Sequence, residues 1–574
     1  MTTRAPELPT AHEPAVRRIS AGWRWALIAL GIAGLFFVYW RESLSAAANS
    51  DSAAISLLAW DMLHGNWLLH GWWLADVSFY TTEVPQYALL ELIGGLGPWV
   101  VHVAAAMTYT LIVVLTALVA QGPQGPRGPR GPRVRGASPV EGWARALLAG
   151  AIVASPQASG VLIFLLGPDH TGTMVPVLAI WLLIDRAQPR WWVPVLVGFA
   201  LTWIMVADSV VLLTVIAPLI IAVVIRAVRA VWADQAARGD RAALGDRSIG
   251  QRRYELMLAL AAAVAAGLGL LIPKLIVRLG GFQFWRFQTH TMPLSKLPRD
   301  AWNTTRAVLQ FFGADVFSAH PGLVAVLVSV HLAGFLLALA GLVIAVARFF
   351  REDSILIPAL AVAIVVQLGV FLVSIHSQNL ASTREIVGVL PSGAVLAGRL
   401  LAGPLLRFWG ASAGRAWRSW RAWSARQVLF ASVASVLVAG YLGAMLYGAA
   451  QPSIPSANQG VAGWLAGHGL TDGLGGYWQA DSITLDTNGK VRVSSVDVDG
   501  SGRIAEKLWE TDTTQYDPAR HTATFVVAGG PASVGPVHGL ANAAIRTFGR
   551  PAHTYHIQGY TILVWNHNIL RDLR

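Results

Sequence analysis

The sequence predicts an α-helical polytopic membrane protein of about eleven transmembrane helices, N-terminus inside and C-terminus outside, with a C-terminal extracytoplasmic α/β domain. Three observations predict it: a ladder of long apolar segments, an alternation of arginine-rich and arginine-poor connections, and a polar, nearly neutral tail. A bilayer-crossing helix needs roughly 17–25 predominantly apolar residues. Candidate spans lie near 23–40, 98–120, 146–166, 172–184, 192–207, 209–225, 257–277, 322–347, 354–375, 386–402 and 428–449.

Arginines crowd into the 1–22 tail (Arg4, Arg17, Arg18), into the stretch from Arg127 to Arg135, into 226–253 and into 407–426. Basic residues stay on the cytoplasmic side, so these connections are inside and the loops 41–97, 278–321 and 376–385 are outside. Residues 192–225 could form one very long span, but that reading would invert every later loop. A break at Ala207-Asp208-Ser209 restores the alternation. The predicted plan is a cytoplasmic tail (1–22), a transmembrane module (23–450) and a soluble domain (451–574).

Composition agrees. The chain is 55% hydrophobic, 13% charged and holds 24 tryptophans, as expected of a protein embedded in lipid. The formal charge of +12 sits almost wholly on the membrane module. It reads as contact with anionic headgroups rather than with nucleic acid. Arginine greatly outnumbers lysine, a bias that points to a GC-rich bacterial genome and hence to the bacterial plasma membrane. Absence of cysteine excludes thiolate catalysis and cysteine-ligated metal. Ala46-Ala47-Ala48 faintly resembles a signal-peptidase site. Loss of the first span would break the charge alternation, so it reads as an uncleaved helix. Four Gly-Pro-X triplets from Gly122 read as a stiff basic loop. No internal repeat stands out, which counts against a carrier.

In the tail, Ser482–Asp486 and Val491–Val493 flank Asn488-Gly489 and predict a β-hairpin. Thr522–Val527 reads as a strand, Leu540–Phe548 as a helix ended by Gly549, and Tyr555–Trp565 as a final strand pair. The domain is long enough to bury its own core.

The first outer loop carries the chemistry. Ser50 to Asp61 alternates small, polar and apolar residues and predicts a helix in the membrane interface. Beyond it come Asp76 and Glu83, with Trp67, Trp72, Trp73 and Tyr80 suited to the headgroup level. Carboxylates held against apolar surface tend to have raised pKa values, which suits a general base. Asp51 also has the sequence context of a helix N-cap. Asp76 and Glu83 would share one face if that stretch were helical, and could then hold a divalent cation (Mg, Mn or Ca) through oxygen ligands.

An outward Asp soon after the first span, then an interfacial helix and further acids, resembles the GT-C superfamily of membrane glycosyltransferases, in its actinobacterial-type branch. The two-module layout is similar too. In protein mannosyltransferases an Asp-Glu pair occupies this loop; here Asp51 is followed by Ser52. The resemblance implies transfer of a sugar from a polyprenyl-phosphate donor to a cell-envelope glycan, lipid or protein by one inverting displacement. It implies Asp51 as base, with Asp76 next in line.

Cationic groups must then meet the phosphate. Lys274, near the outer end of its span, and Arg286, in the aromatic loop from Phe282 to His290, are candidates with His290 beside them. Arg384, read as opening a helix whose N-terminus favours anions, is the strongest. Asp169 and His170, in the turn after Gly167-Pro168, would face the same vestibule, although Pro-Asp is also ordinary turn chemistry. A ligase or polymerase using lipid-diphosphate-linked glycan needs a similar vestibule. A transporter or scaffold is the reading from a different class; transport predicts a polar inner half, whereas spans such as 211–225 and 354–365 are almost free of charge.

Overall fold

The computed structural model describes residues 21–123, 138–156, 158–167, 170–236, 246–285, 291–319, 321–352, 354–416, 425–530 and 537–573. The N-terminal arginines and most of the Gly-Pro-Arg loop lie outside them. Among the described residues seven helical stretches are long and apolar enough to cross a membrane: Trp25–Ser43, Trp99–Gln121, Leu212–Trp232, Gly250–Arg278, Leu323–Ala347, Leu356–Val373 and Ser382–Arg407. Trp192–Ala207 and Ser435–Ala449 are shorter apolar helices.

The break in the long apolar run falls where charge alternation puts it. One helix ends at Ala207, Asp208 is extended, and a π-helical turn at Leu212–Ile216 starts the next. The expected span 146–166 is instead two pieces, Pro139–Val153 and Ala158–Phe164. Pro156 lies between them; it lacks a backbone donor and its ring clashes with the preceding turn, so a helix stops there. The span near 386–402 begins as a 3₁₀ segment, Leu380–Ile386, and becomes an α-helix only at Val389.

Small residues let these helices approach closely. A Cβ at Gly341 would stand 2.8 Å from the backbone nitrogen of Ala397, so Leu323–Ala347 and Val389–Ala416 meet nearly backbone to backbone.

The first loop is largely ordered. It contains the helix Ser50–Leu63, strand β1 (Trp72–Leu74) and the helix Glu83–Gly94. The first of these was expected to lie in the membrane interface. It is sandwiched between Glu83–Gly94 and a helix of the C-terminal domain, with Ser52, Ala53, Ala54, Ile55 and Ala59 buried. Its many small side chains are a packing surface on two sides.

In the C-terminal domain β3 (Asp472–Gly475), β4 (Arg492–Val498), β5 (Ile504–Glu506), β7 (Phe525–Gly529), β8 (His553–Ile557) and β9 (Tyr560–Val564) form a sheet in the order β5-β4-β3-β7-β9-β8. Strand β3 is parallel to β4 and β7; the other pairs are antiparallel. Alternation along β7 feeds two cores. Phe525 and Val527 face one side with the helix Gln459–Gly467, and Val526 and Ala528 face the other with Leu540–Phe548.

The expected hairpin around Asn488-Gly489 is not there. Tyr477–Asp486 is a helix that crosses between parallel β3 and β4. Asn488 (φ 53°) and Gly489 (φ 75°) do take the positive angles the dipeptide favours, but they end a helix: Gly489 N–H donates to Thr484 O. Ile483 is fully buried against the sheet, as Phe525 and Val493 are, and that packing outweighs the local turn preference. The helix ended by Gly549 and the final hairpin are as expected, and the strand expected at Thr522–Val527 runs instead from Phe525 to Gly529. Gln558 and Gly559 (φ 50° and 86°) supply the tight turn of that hairpin.

A second, smaller sheet joins the two modules. Strand β1 pairs in parallel with β2 (Gln283–Phe284) and antiparallel with β6 (Thr511–Asp512). Three segments far apart in the chain thus meet at one ladder.

Gly341→Leu is expected to destabilise the protein by about 1–3 kcal/mol through overpacking. Gly443→Leu, where a Cβ meets nothing within 4 Å, is expected to be neutral. Thermal unfolding of both variants in detergent checks the difference.

Candidate active site

The capping of the helix Ser50–Leu63 is the first point of chemistry. Asn49, not Asp51, is its N-cap: the Asn49 side chain accepts from Ser52 N–H at 3.1 Å, and Ser52 Oγ accepts from Asn49 N–H at 3.2 Å. Asp51 sits within the first turn, where negative charge is favoured, and turns toward a small polar pocket of about 40 Å³. The pocket brings Asp51 together with Asp76, His170, Arg384, Glu385 and Glu510. Four of these, Asp51, Asp76, His170 and Arg384, are residues the sequence nominated.

His170 is buried and bridges two carboxylates. Its Nδ1 lies 2.9 Å from Asp208 Oδ2, and its Nε2 lies 3.3 Å from Glu385 Oε2. Asp208 is fixed in turn by Thr173 Oγ1 at 2.7 Å and by Val210 N–H at 2.8 Å. Burial opposes charge on the ring, but Asp208 and Glu385 override it and lift the His170 pKa well above the usual histidine value. Asp76 opens onto the pocket. Crowding by the surrounding chain and the nearby Glu385 charge raise its pKa, with His170 working against them.

Backbone strain concentrates here. Among the described residues six non-glycine residues have positive φ, and three of them, Phe79, His170 and Glu510, line this one pocket. Such angles persist only where the surroundings hold them, and they cluster at functional sites.

A larger cavity, about 730 Å³, shares Asp76 with the pocket. Lys274 and Arg278 line it with Ser78, Gln283 and Trp285, and Met205, Val206, Leu270 and Phe284 give it apolar walls. Both cations lie on the face of one helix, a turn apart, where i and i+4 residues are neighbours. Arg278 was not singled out by the sequence reading; its i+4 spacing from Lys274 is the signal for it.

Other expectations change. Arg384 does not open an α-helix; it lies in the 3₁₀ segment two residues before Ile386, so its guanidinium rather than a helix N-terminus would meet an anion. Asp76 and Glu83 do not share a helical face, because the helix starts at Glu83. Glu83 is buried beside Gly172, accepts from Thr82 Oγ1, and has its pKa pushed up to about 8 by burial and then by the Asp208 charge. Among the described residues no three His, Cys, Asp or Glu gather as a metal would require. Asp169, Arg286 and His290 lie outside the described residues.

Glu385, Asp208, Tyr477 and Glu510 were not nominated as site residues. Tyr477 Oη donates to Asp51 Oδ1 at 2.5 Å and also meets Glu510 Oε2.

No protein-family model matches the sequence and no curated protein does. Solved structures share the architecture. ArnT from Cupriavidus metallidurans bound to undecaprenyl phosphate is similar with a TM-score of 0.50 and 14% identity, covering 95% of this chain and 98% of that one. ArnT in the apo state gives 0.49, 14% identity, and 97% and 100% coverage. Archaeal oligosaccharyltransferase AglB from Archaeoglobus fulgidus, in complex with an inhibitory peptide and a dolichol-phosphate, gives 0.45 and 12% identity, covering 88% of this chain and 70% of that one. At such identity the likeness to ArnT bears on fold. The chain shares the fold of ArnT, a helical membrane module followed here by a C-terminal sheet domain.

The His170 imidazole is expected to hold protons on both ring nitrogens at pH 7.5, above the ordinary histidine pKa of about 6.5. Asp208→Asn removes one of the two charges that raise it, so the doubly protonated form should be lost at lower pH in that variant. Nitrogen-15 NMR of labelled histidine in detergent reads both states.

Proposed function

We propose that this protein transfers a sugar from a polyprenyl-phosphate carrier to a hydroxyl of a cell-envelope glycan, lipid or protein, by a single inverting displacement on the outer face of the bacterial plasma membrane. The observation that carries the reading is the junction at Asp76. A pocket of carboxylates there shares Asp76 with an apolar-walled cavity lined by two cations, Lys274 and Arg278. An acceptor hydroxyl needs a base, and a departing lipid phosphate needs positive charge and a place for an isoprenoid chain. ArnT, of the same fold, was crystallised with undecaprenyl phosphate, and the cavity beside Lys274 and Arg278 suits a lipid phosphate of that kind.

In this reading Asp51 takes the proton of the acceptor hydroxyl as its oxygen forms a bond to the anomeric carbon. The bond from that carbon to the phosphate oxygen breaks on the opposite side. Lys274 and Arg278 meet the charge gathering on the phosphate, with Arg384 facing it from the acid pocket. Asp76 stands between the two sites and is the second candidate for the base. Glu385 and Asp208 keep His170 charged, which offsets the carboxylates crowded beside it.

The test is sugar transfer from labelled polyprenyl-phosphate sugars by purified protein. Asp51→Asn keeps the size of the side chain but cannot accept the proton, and should lower kcat by about 10²–10⁴-fold. Full activity in that variant with loss in Asp76→Asn would move the base to Asp76. Folded wild type that turns over none of the donors would sink the reading. Lys274→Ala together with Arg278→Ala is expected to raise KM for the donor about tenfold or more, in keeping with loss of two charge-assisted contacts.

A further inference from the structure

The contact between the C-terminal domain and the first loop contains a proton-counting problem. Tyr477 has one phenolic proton, yet its oxygen makes two contacts of hydrogen-bond length, to Asp51 and to Glu510. A phenol donates once. The second contact needs a proton from the other side, so one of the two carboxyls must be the acid form. Two ionised carboxylates converging on one hydroxyl would leave one short oxygen–oxygen contact with no proton in it.

Which carboxyl holds the proton follows from the reaction proposed above, on which this inference rests. Asp51 must start ionised to take the acceptor proton. We propose that Tyr477 and Glu510, both supplied by the C-terminal domain, are positioning residues that hold Asp51 ionised and aimed: protonated Glu510 donates to the phenol oxygen, and the phenol donates to Asp51 Oδ1.

The surroundings support the direction of this chain. Tyr477 is the first residue of its helix and is buried, so its ring has one way to point. Glu510 is held at φ 46°, an angle a non-glycine residue keeps only under constraint. One turn along from Tyr477, Asp481 is buried with Oδ2 lacking a hydrogen-bond partner among the described residues. Burial and the Asp51 charge raise the Asp481 pKa, which favours its neutral form and limits the negative charge beside Asp51. Asp76, His170, Arg384 and Glu385 face the same pocket.

Tyr477→Phe keeps the ring and removes the donor. It is expected to lower kcat at least tenfold while KM for the donor stays within twofold. Glu510→Ala should do the same. Glu510→Gln can still donate to the phenol through its amide, and is expected to recover at least tenfold over the alanine variant. The infrared spectrum of the folded protein should lose the C=O band of one protonated carboxyl in Glu510→Gln, and this readout needs no donor. Tyr477→Phe within twofold of wild type, Glu510→Gln no better than alanine, or an unchanged carboxyl band would each overturn the assignment. Loss of that band in a protein that transfers no sugar would leave the triad standing and remove the transferase reading instead.

Discussion

The site depends on one line of titratable groups, Asp208–His170–Glu385, buried at Asp208 and His170 and partly exposed at Glu385. Each member comes from a place where a helix is interrupted: the extended residue after Ala207, the left-handed residue before Thr171, and the 3₁₀ segment before Val389. Interrupted helices leave backbone groups that need partners, and such breaks persist at membrane depth only where protein surrounds them. The imidazole ties the three breaks together by meeting both carboxyl groups. Without it, Asp208 would lose its ring partner, while Glu385 would still face His376 at 3.9 Å. Asp76 and Arg384 take their places around that line.

The rest of the active region is built by placing irregular segments on regular supports. Helices packed through glycine and alanine set a frame with little freedom to shift. On it rest the turn at His170, the loop from Ala75 to Phe79 and the 3₁₀ segment, and over it the C-terminal domain lays Trp509 and Glu510. The strained backbone angles fall on the irregular pieces, whose neighbours hold them. Rigidity comes from the bundle, and the unusual geometry is confined to the few residues that use it.

Much of this was legible in the sequence, and the reasons are physical. Apolar length and arginine placement are set by the bilayer itself, so a set of long apolar helices and the break at Asp208 could be read from the sequence. Asp51 was visible because it is an outward acid close behind the first span, where the family resemblance implies a base. The split at Pro156 is local; most of the other errors come from tertiary contact. Ser482–Asp486 alternates well enough for a strand, but burial of Ile483 on the sheet makes it a helix. Asn488-Gly489 has the same positive angles in either setting, so the dipeptide could not distinguish them. Glu385 adjoins Arg384 in sequence and reaches His170, 215 positions away. Tyr477 and Asp51 are 426 residues apart, and no local pattern reports such a pair.

That separation has a consequence for how the protein comes into being. Strand β1 and Asp51 emerge early in synthesis, whereas β6, Tyr477 and Glu510 are made hundreds of residues later. Until then β1 lacks one of its two partners and the first-loop carboxylates lack their clamp. Non-local contacts of this kind form late and slowly. The newly made membrane module is therefore an incomplete intermediate, and the completion of its distant domain acts as a maturation step written into the topology of the chain.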